Sequence, residues 1–133
     1  MKPLGAAGYL WALPNSLLGL AAGLLMLAAG GRARVIEGAL EFGGGAIGRA
    51  LIDRQPPFRF RAMTLGHVIV GASAEDLDAA RPHEQVHVRQ YERWGPFFLP
   101  AYLLSCAWQL ACGRSGYRDN YFERQARAHD RRA

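Results

Sequence analysis

The stretch His83-Glu84-Gln85-Val86-His87 spells His-Glu-x-x-His, a pattern whose chemistry works only on a helix. On an α-helix, residues four apart differ by ~40° in direction and ~6 Å in height, so His83 and His87 address one ion from one face. Glu84 lies ~100° round from His83. A carboxylate placed there stands beside the ion and takes a proton from water without occupying a coordination position. A chain of this length shows the pattern by chance on the order of once in a few hundred sequences, so its flanks matter. Val86 and Val88 flank His87, while Arg89, Gln90, Glu92 and Arg93 suit a wet helix face. Gly95-Pro96 supplies a stop. Pro82 precedes His83, and proline is tolerated in the first turn of a helix. The expectation is a metal helix starting near Pro82. Ser73 to Ala80 then forms a separate turn or short helix, with a Ser73–Asp76 capping box.

The chain has 133 residues, enough for one small domain. Its net charge is +5, and every basic residue except Lys2 is arginine. The arginines are scattered from Arg32 to Arg132 without the aromatic interleaving of a base-stacking groove. No specific nucleic-acid partner is expected. On one helix, Cys106 and Cys112 would stand ~9 Å apart along the axis and ~120° apart in direction, so no disulfide joins them. Both read as small apolar filler.

Leu4 to Ala29 carries no charge. As one helix it would be ~39 Å long, more than the ~30 Å hydrocarbon thickness of a bilayer. Pro14-Asn15-Ser16 interrupts it. Two readings stand. One is a kinked transmembrane anchor with Tyr9 and Trp11 near an interface. The other is an export signal peptide, with Leu17 to Leu27 as apolar core and Ala29-Gly30-Gly31 as cleavage region. The anchor is preferred, which divides the chain into an apolar segment, 1–31, and a domain, 32–133. Arg32 and Arg34 outnumber Lys2, so the C-terminal part is expected to face the cytoplasm from an inner membrane.

Residues 34–70 suggest short strands. Val35 to Phe42 reads as a first strand and Gly43-Gly44-Gly45 as a turn or bulge. Ala46 to Ile52 reads as a second strand or a short helix. Gln55-Pro56-Pro57 breaks the chain, Phe58 to Arg61 alternates like a half-buried strand, and Thr64 to Val70 reads as a strand ending at Gly71. With no crossover helix evident, the expected sheet is small and antiparallel. Pro96 to Cys112 has no formal charge and reads as a hydrophobic helix packed on the metal helix, partly facing lipid and ended by Gly113. A final helix follows, capped by Asp119 or Asn120 and ending in arginines. The fold class is therefore α+β.

A tetrahedral catalytic zinc takes three protein ligands and a water. One metallopeptidase class places a Gly three residues and a His six residues after the second His; Gln90 and Arg93 stand there instead. Another class takes a Glu from a later helix. Glu92 lies five residues after His87, which turns it away, and the carboxylates beyond it are Asp119, Glu123 and Asp130.

With His83-Glu84-x-x-His87 and Asn120-Tyr121-Phe122-Glu123, the chain resembles the gluzincins, zinc peptidases with a downstream Glu ligand. It is most similar to their minimal membrane-linked members, over roughly residues 64 to 127. The resemblance implies that His83, His87 and Glu123 bind Zn2+ and that Glu84 is the general base. It also implies that the strand of Thr64, Leu65, Gly66, His67 and Val68 is the edge on which a peptide or protein substrate pairs. Arg127 stands where the related motif often has an Asp supporting a metal-binding His, so Asp119 or Asp130 would have to replace it. Candidates for an oxyanion donor are Tyr91, Tyr117, Tyr121, His129 and His67. The function expected is a membrane-anchored zinc metallopeptidase in contact with membrane lipid. The alternative is a non-catalytic membrane-associated protein with a structural zinc.

Overall fold

The computed structural model describes residues 2–53 and 61–130. It is an α+β fold of six α-helices and a four-stranded sheet. The elements are α1 (Gly5–Trp11), α2 (Leu13–Ala28), β1 (Arg32–Ile36), β2 (Ala39–Gly43), α3 (Gly45–Ile52), β3 (Ala62–Leu65), β4 (Val68–Gly71), α4 (Ala74–Trp94), α5 (Phe98–Ala111) and α6 (Tyr121–Asp130). A 3-10 turn at Gly95–Phe97 joins α4 to α5.

The sheet runs β1-β2-β4-β3, and it is mixed rather than antiparallel. β1–β2 and β3–β4 are antiparallel hairpins, but β2 and β4 are parallel. The stretch left open between strand and helix is helical, as α3. β3 starts at the end of the sheet where β2 stops and runs back along its far edge, so the hairpin into β4 places β4 beside β2 in the same direction. The single strand expected over Val35 to Phe42 is a hairpin instead. Its turn is Glu37-Gly38, both in the left-handed region at φ 53° and 78°, which matches the twist of the flanking strands. The expected break at Gln55-Pro56-Pro57 and the alternation at Phe58 to Phe60 lie outside the described residues.

The metal helix also differs from expectation. α4 runs unbroken from Ala74 to Trp94, with Pro82 in its interior and not at its start. Ser73 is its N-cap, accepting the Asp76 N–H at 3.1 Å. Arg81 makes a two-pronged pair with the buried Glu41 of β2, at 2.7 and 3.0 Å, and bonds Asp78 at 2.7 Å. These contacts bind the first half of α4 to the sheet. Gln90 and Glu92, assigned above to a wet face, are each only 1% exposed. The second half of α4 is enclosed on both sides, with Val88 against Ile69 and Ala39, and Tyr91 against Phe98 and Phe122. Each such side chain contributes roughly 1.5–3 kcal/mol on burial.

The apolar segment 1–31 shares its core with the rest. α2 lies on the sheet, where Met26 joins Phe42, Val68 and Val70. Its Gly19 and Gly23 let the sheet come close: an added Cβ would lie 2.7 Å from Val68 and 2.2 Å from the Phe42 ring. α1 reaches α4, and the Leu4 N–H donates to Glu92. Among the described residues no single helix is long and apolar enough to cross a membrane; α1 and α2 pass that test only as a pair bent by 71°.

Candidate metal centre

α4 presents His83 and His87 one turn apart, with their rings at 78° and centroids 4.9 Å apart. Their Nε2 atoms are 3.2 Å from each other. α6 brings in Glu123, whose Oε2 is 2.9 Å from His83 Nε2 and whose Oε1 is 3.1 Å from His87 Nε2. In a tetrahedral site with bonds near 2.05 Å, ligand atoms stand ~3.3 Å apart. The three separations are close to that spacing, with Glu123 meeting the two rings through different oxygens, one to each. Asn120 places Glu123. Its Oδ1 accepts the Phe122 N–H at 2.9 Å, capping α6, while its Nδ2 donates to the Tyr102 carbonyl at 3.0 Å, tying the helix to α5. Of the two caps expected from sequence, Asn120 holds the place; Asp119 instead accepts the Ser115 N–H. Glu123 thus sits in the first turn of α6, where the helix dipole favours a carboxylate.

Glu84 completes the group. The donor atoms of His83, Glu84 and His87 lie within 4.8 Å of one another, and this set can hold a metal ion. The Thr64 hydroxyl lies 3.0 Å from Glu84 Oε1 and 3.3 Å from the Glu84 carbonyl, and donates to one of them. Burial pushes the Glu84 carboxyl above the usual carboxylate range, against the pull of the two imidazoles. Glu123 is also buried, but its hydrogen bonds with His83 and His87 outweigh that and hold it well below the usual range. For His87, burial opposes the charged form, and its bond with Glu123 reverses the balance and raises it.

His87 Nδ1 is 2.7 Å from Gln90 Oε1. The Gln90 amide is locked in turn, donating to the Phe122 carbonyl at 3.0 Å and to Gln125 Oε1 at 2.8 Å. An amide oxygen is only an acceptor, so Nδ1 carries a proton, and in the neutral ring Nε2 is the nitrogen with the lone pair that faces the site. This is the support expected of Asp119 or Asp130, and neither supplies it. Arg127 donates to the Arg118 carbonyl. Gln90 was legible in one respect, since a residue three after His87 shares its helix face.

The residues proposed as one substrate strand separate in the structure. Thr64 and Leu65 end β3, the edge strand; Gly66 and His67 form the hairpin turn; Val68 begins β4 inside the sheet. A cavity of about 750 Å³ opens on the metal group, walled by Ala62 to Leu65 of β3 and by Phe98, Leu99 and Tyr102 of α5. Gly66, His67 and Val68 do not line it. His67 pairs with Glu92 at 2.7 Å. Of the oxyanion candidates, Tyr117 and Tyr91 line the cavity. Tyr91 is 1% exposed and spends its hydroxyl on the Thr64 carbonyl at 2.9 Å. Tyr102, not singled out from sequence, donates to Glu123 Oε1 at 3.0 Å. Both cysteines are free.

No family model, no curated protein and no solved structure matches the chain.

Proposed function

We propose that the chain is a zinc-dependent peptidase working at a membrane, with His83, His87 and Glu123 as metal ligands and Glu84 as general base. One observation carries the reading. Two imidazole nitrogens and the two oxygens of a carboxylate from a distant helix converge at 2.9–3.2 Å, with a second carboxylate, Glu84, within 4.8 Å of the ligand atoms of both rings. The resemblance to gluzincins points to the same four residues.

Zinc held there supplies Lewis acidity, acidifying water and polarising a carbonyl. The chain's own groups do the rest. Gln90 fixes the His87 tautomer. Tyr102 holds one oxygen of Glu123. Glu84, raised in proton affinity by burial and steadied by Thr64, accepts a proton from water and returns it to the leaving amine. Tyr117 serves as hydroxyl donor to the developing oxyanion: it lines the cavity, and a phenol is protonated at neutral pH. An extended peptide lies along β3. Arg61 spends its carbonyl on Ala72 and Thr64 spends its carbonyl on Tyr91, so pairing falls on Ala62, whose backbone groups alternate away from β4. The apolar walls favour a bulky apolar side chain beside the scissile bond.

The test is metal analysis beside peptide cleavage. Wild type holds one zinc per chain. Glu84→Gln keeps that zinc and loses about 10²–10⁴-fold in turnover. Cleavage undiminished in Glu84→Gln ends the enzymatic reading; zinc retained with no cleavage by wild type leaves a structural site.

A further inference from the structure

α2 is built the wrong way round for water. Its buried side consists of Asn15, Gly19, Gly23 and Met26, while Leu17, Leu18, Leu24 and Leu25 point outward at 52–66% exposure. A helix in water buries its leucines and exposes its small and polar residues. α5 repeats the inversion. Only Phe98 and Gln109 are buried, and Leu103, Leu104, Trp108 and Leu110 are 62–71% exposed. The two surfaces meet at one corner. Trp11, at the α1–α2 bend, contacts Phe97 just before α5, with centroids 6.0 Å apart, and Asn15 Nδ2 donates to the Gly95 carbonyl at 2.9 Å. All three tryptophans are exposed, at 43–64%.

Charge follows the same division. All eleven acidic residues fall within 37–92 and 119–130. The apolar segments 1–36 and 93–118 hold Lys2, Arg32, Arg34, Arg93, Arg114 and Arg118, which together exceed the net charge of +5. Arg34 is paired with Glu41 and Asp78. The other five are exposed and bracket the apolar helices at their ends. Apolar surface with tryptophans and an acid-free cationic rim fits an anionic lipid interface.

We propose that the outer faces of α1, α2 and α5 form one docking surface for an anionic bilayer, seating the protein in a single leaflet. α2 cannot be ringed by lipid, because one face is committed to the sheet, and the 71° bend denies α1–α2 a straight crossing. This deepens the membrane part of the function proposed above and is independent of the metal.

The experiment uses the full chain carrying Glu84→Gln, so that catalysis plays no part. It measures binding to vesicles of phosphatidylcholine alone and of phosphatidylcholine with about one third phosphatidylglycerol. Binding is expected to be at least about tenfold stronger to the anionic vesicles and to weaken with salt. Leu25→Glu and Leu104→Glu should each weaken it about tenfold or more, with circular dichroism unchanged. Val35→Glu, which alters an equally exposed apolar side chain on β1, should leave it unchanged. Lipids brominated on the acyl chains should quench the tryptophans of the unaltered surface, a readout that needs no surface variant. Absence of quenching, or equal binding by both glutamate variants, overturns the proposal. So does a self-association, seen without lipid, that Leu104→Glu dissolves while vesicle binding persists, since the face would then belong to a second copy.

Discussion

Two buried histidine–glutamate arrangements flank α4, on faces ~140–180° apart, and they differ in how charge is balanced. In the first, His67 Nε2 meets Glu92 Oε2 at 2.7 Å, and Arg89 meets Oε1 at 2.6 Å. The Leu4 N–H adds a third bond and the Tyr9 ring stacks on His67 at 3.8 Å. A permanent cation neutralises this carboxylate, and the cluster is closed over. In the second, Glu123 has two imidazoles and the Tyr102 hydroxyl as its described partners, with no arginine or lysine among them, and Glu84 stands next to it. Two carboxylates facing two imidazoles on the wall of a cavity lack a fixed cation. The same residue types thus make a structural tie where arginine is present and a place for an ion where it is absent.

The comparison breaks most visibly if the two glutamates are exchanged for neutral residues. Glu123→Gln should lower zinc affinity by well over the about 10–100-fold typical of a supporting residue, with modest loss of stability in metal-free protein. Glu92→Ala should leave zinc affinity unchanged but cost about 3–5 kcal/mol in urea unfolding, because His67 and Arg89 lose their partner in a buried place. The pH dependence separates them further. Burial works against the Glu92 charge, but His67 and Arg89 outweigh it and lower its pKa in the folded chain. Its stabilisation is therefore full above the unfolded carboxylate value of ~4.3 and is lost as pH falls through the lower folded value. Glu92→Ala should show a smaller acid loss than the wild type, the remainder coming from Glu123 and Asp78, whose carboxyls are also lowered. Zinc loss in Glu92→Ala with stability intact would reverse the roles assigned to the two clusters.

A smaller effect sharpens the metal side. Gln90→Leu removes the acceptor for His87 Nδ1–H while keeping bulk, and should cost about 10–100-fold in zinc affinity. Gln90→Glu should recover only part of that loss, since a carboxylate accepts the same proton but sets its other oxygen against the Phe122 carbonyl and Gln125 Oε1. An affinity unmoved by Gln90→Leu would mean that the His87 ring is held by packing against Phe98 alone.

How much of this was legible depends on the range of the interaction. His83, Glu84 and His87 were readable because their relation is helical and local. Asn120 and Glu123 were reached through a motif, and the capping bond to Phe122 is local as well. The α+β class, α5 and the stop at Gly95 also followed from pattern, whereas the apolar N-terminal segment is two helices, α1 and α2, bent by 71°. The parallel β2–β4 pair was not legible, because it depends on the β3–β4 hairpin, and Thr64 to Val70 reads as one strand. The Thr64-to-Val68 strand failed because Gly66-His67 is a tight turn hidden inside a continuous apolar run. The burial of Gln90 and Glu92 was missed for a different reason. Polar residues read as wet, and only tertiary partners such as Arg89, His67 and Gln125 reverse that.

Pro82 supplies the smallest of these tests and bears on whether α4 acts as one body. Proline inside a helix removes a backbone bond and crowds the preceding turn, at a cost of about 3 kcal/mol or more. The helix continues through it here. Asp78 and Pro82 are both exposed, so the carbonyl freed by the proline faces water, and the Arg81 pairs with Glu41 and Asp78 hold the turn from outside. If α4 is continuous, its cap supports the metal-bearing half as well as the first half. Ser73→Ala should then lower global stability by about 1 kcal/mol, with zinc affinity unchanged. If the helix is mechanically divided at Pro82, the cap secures only the first half. Amide exchange at residues 77–81 would then accelerate in Ser73→Ala while the urea midpoint stayed in place. That outcome would restore the shorter metal helix that the position of Pro82 first suggested.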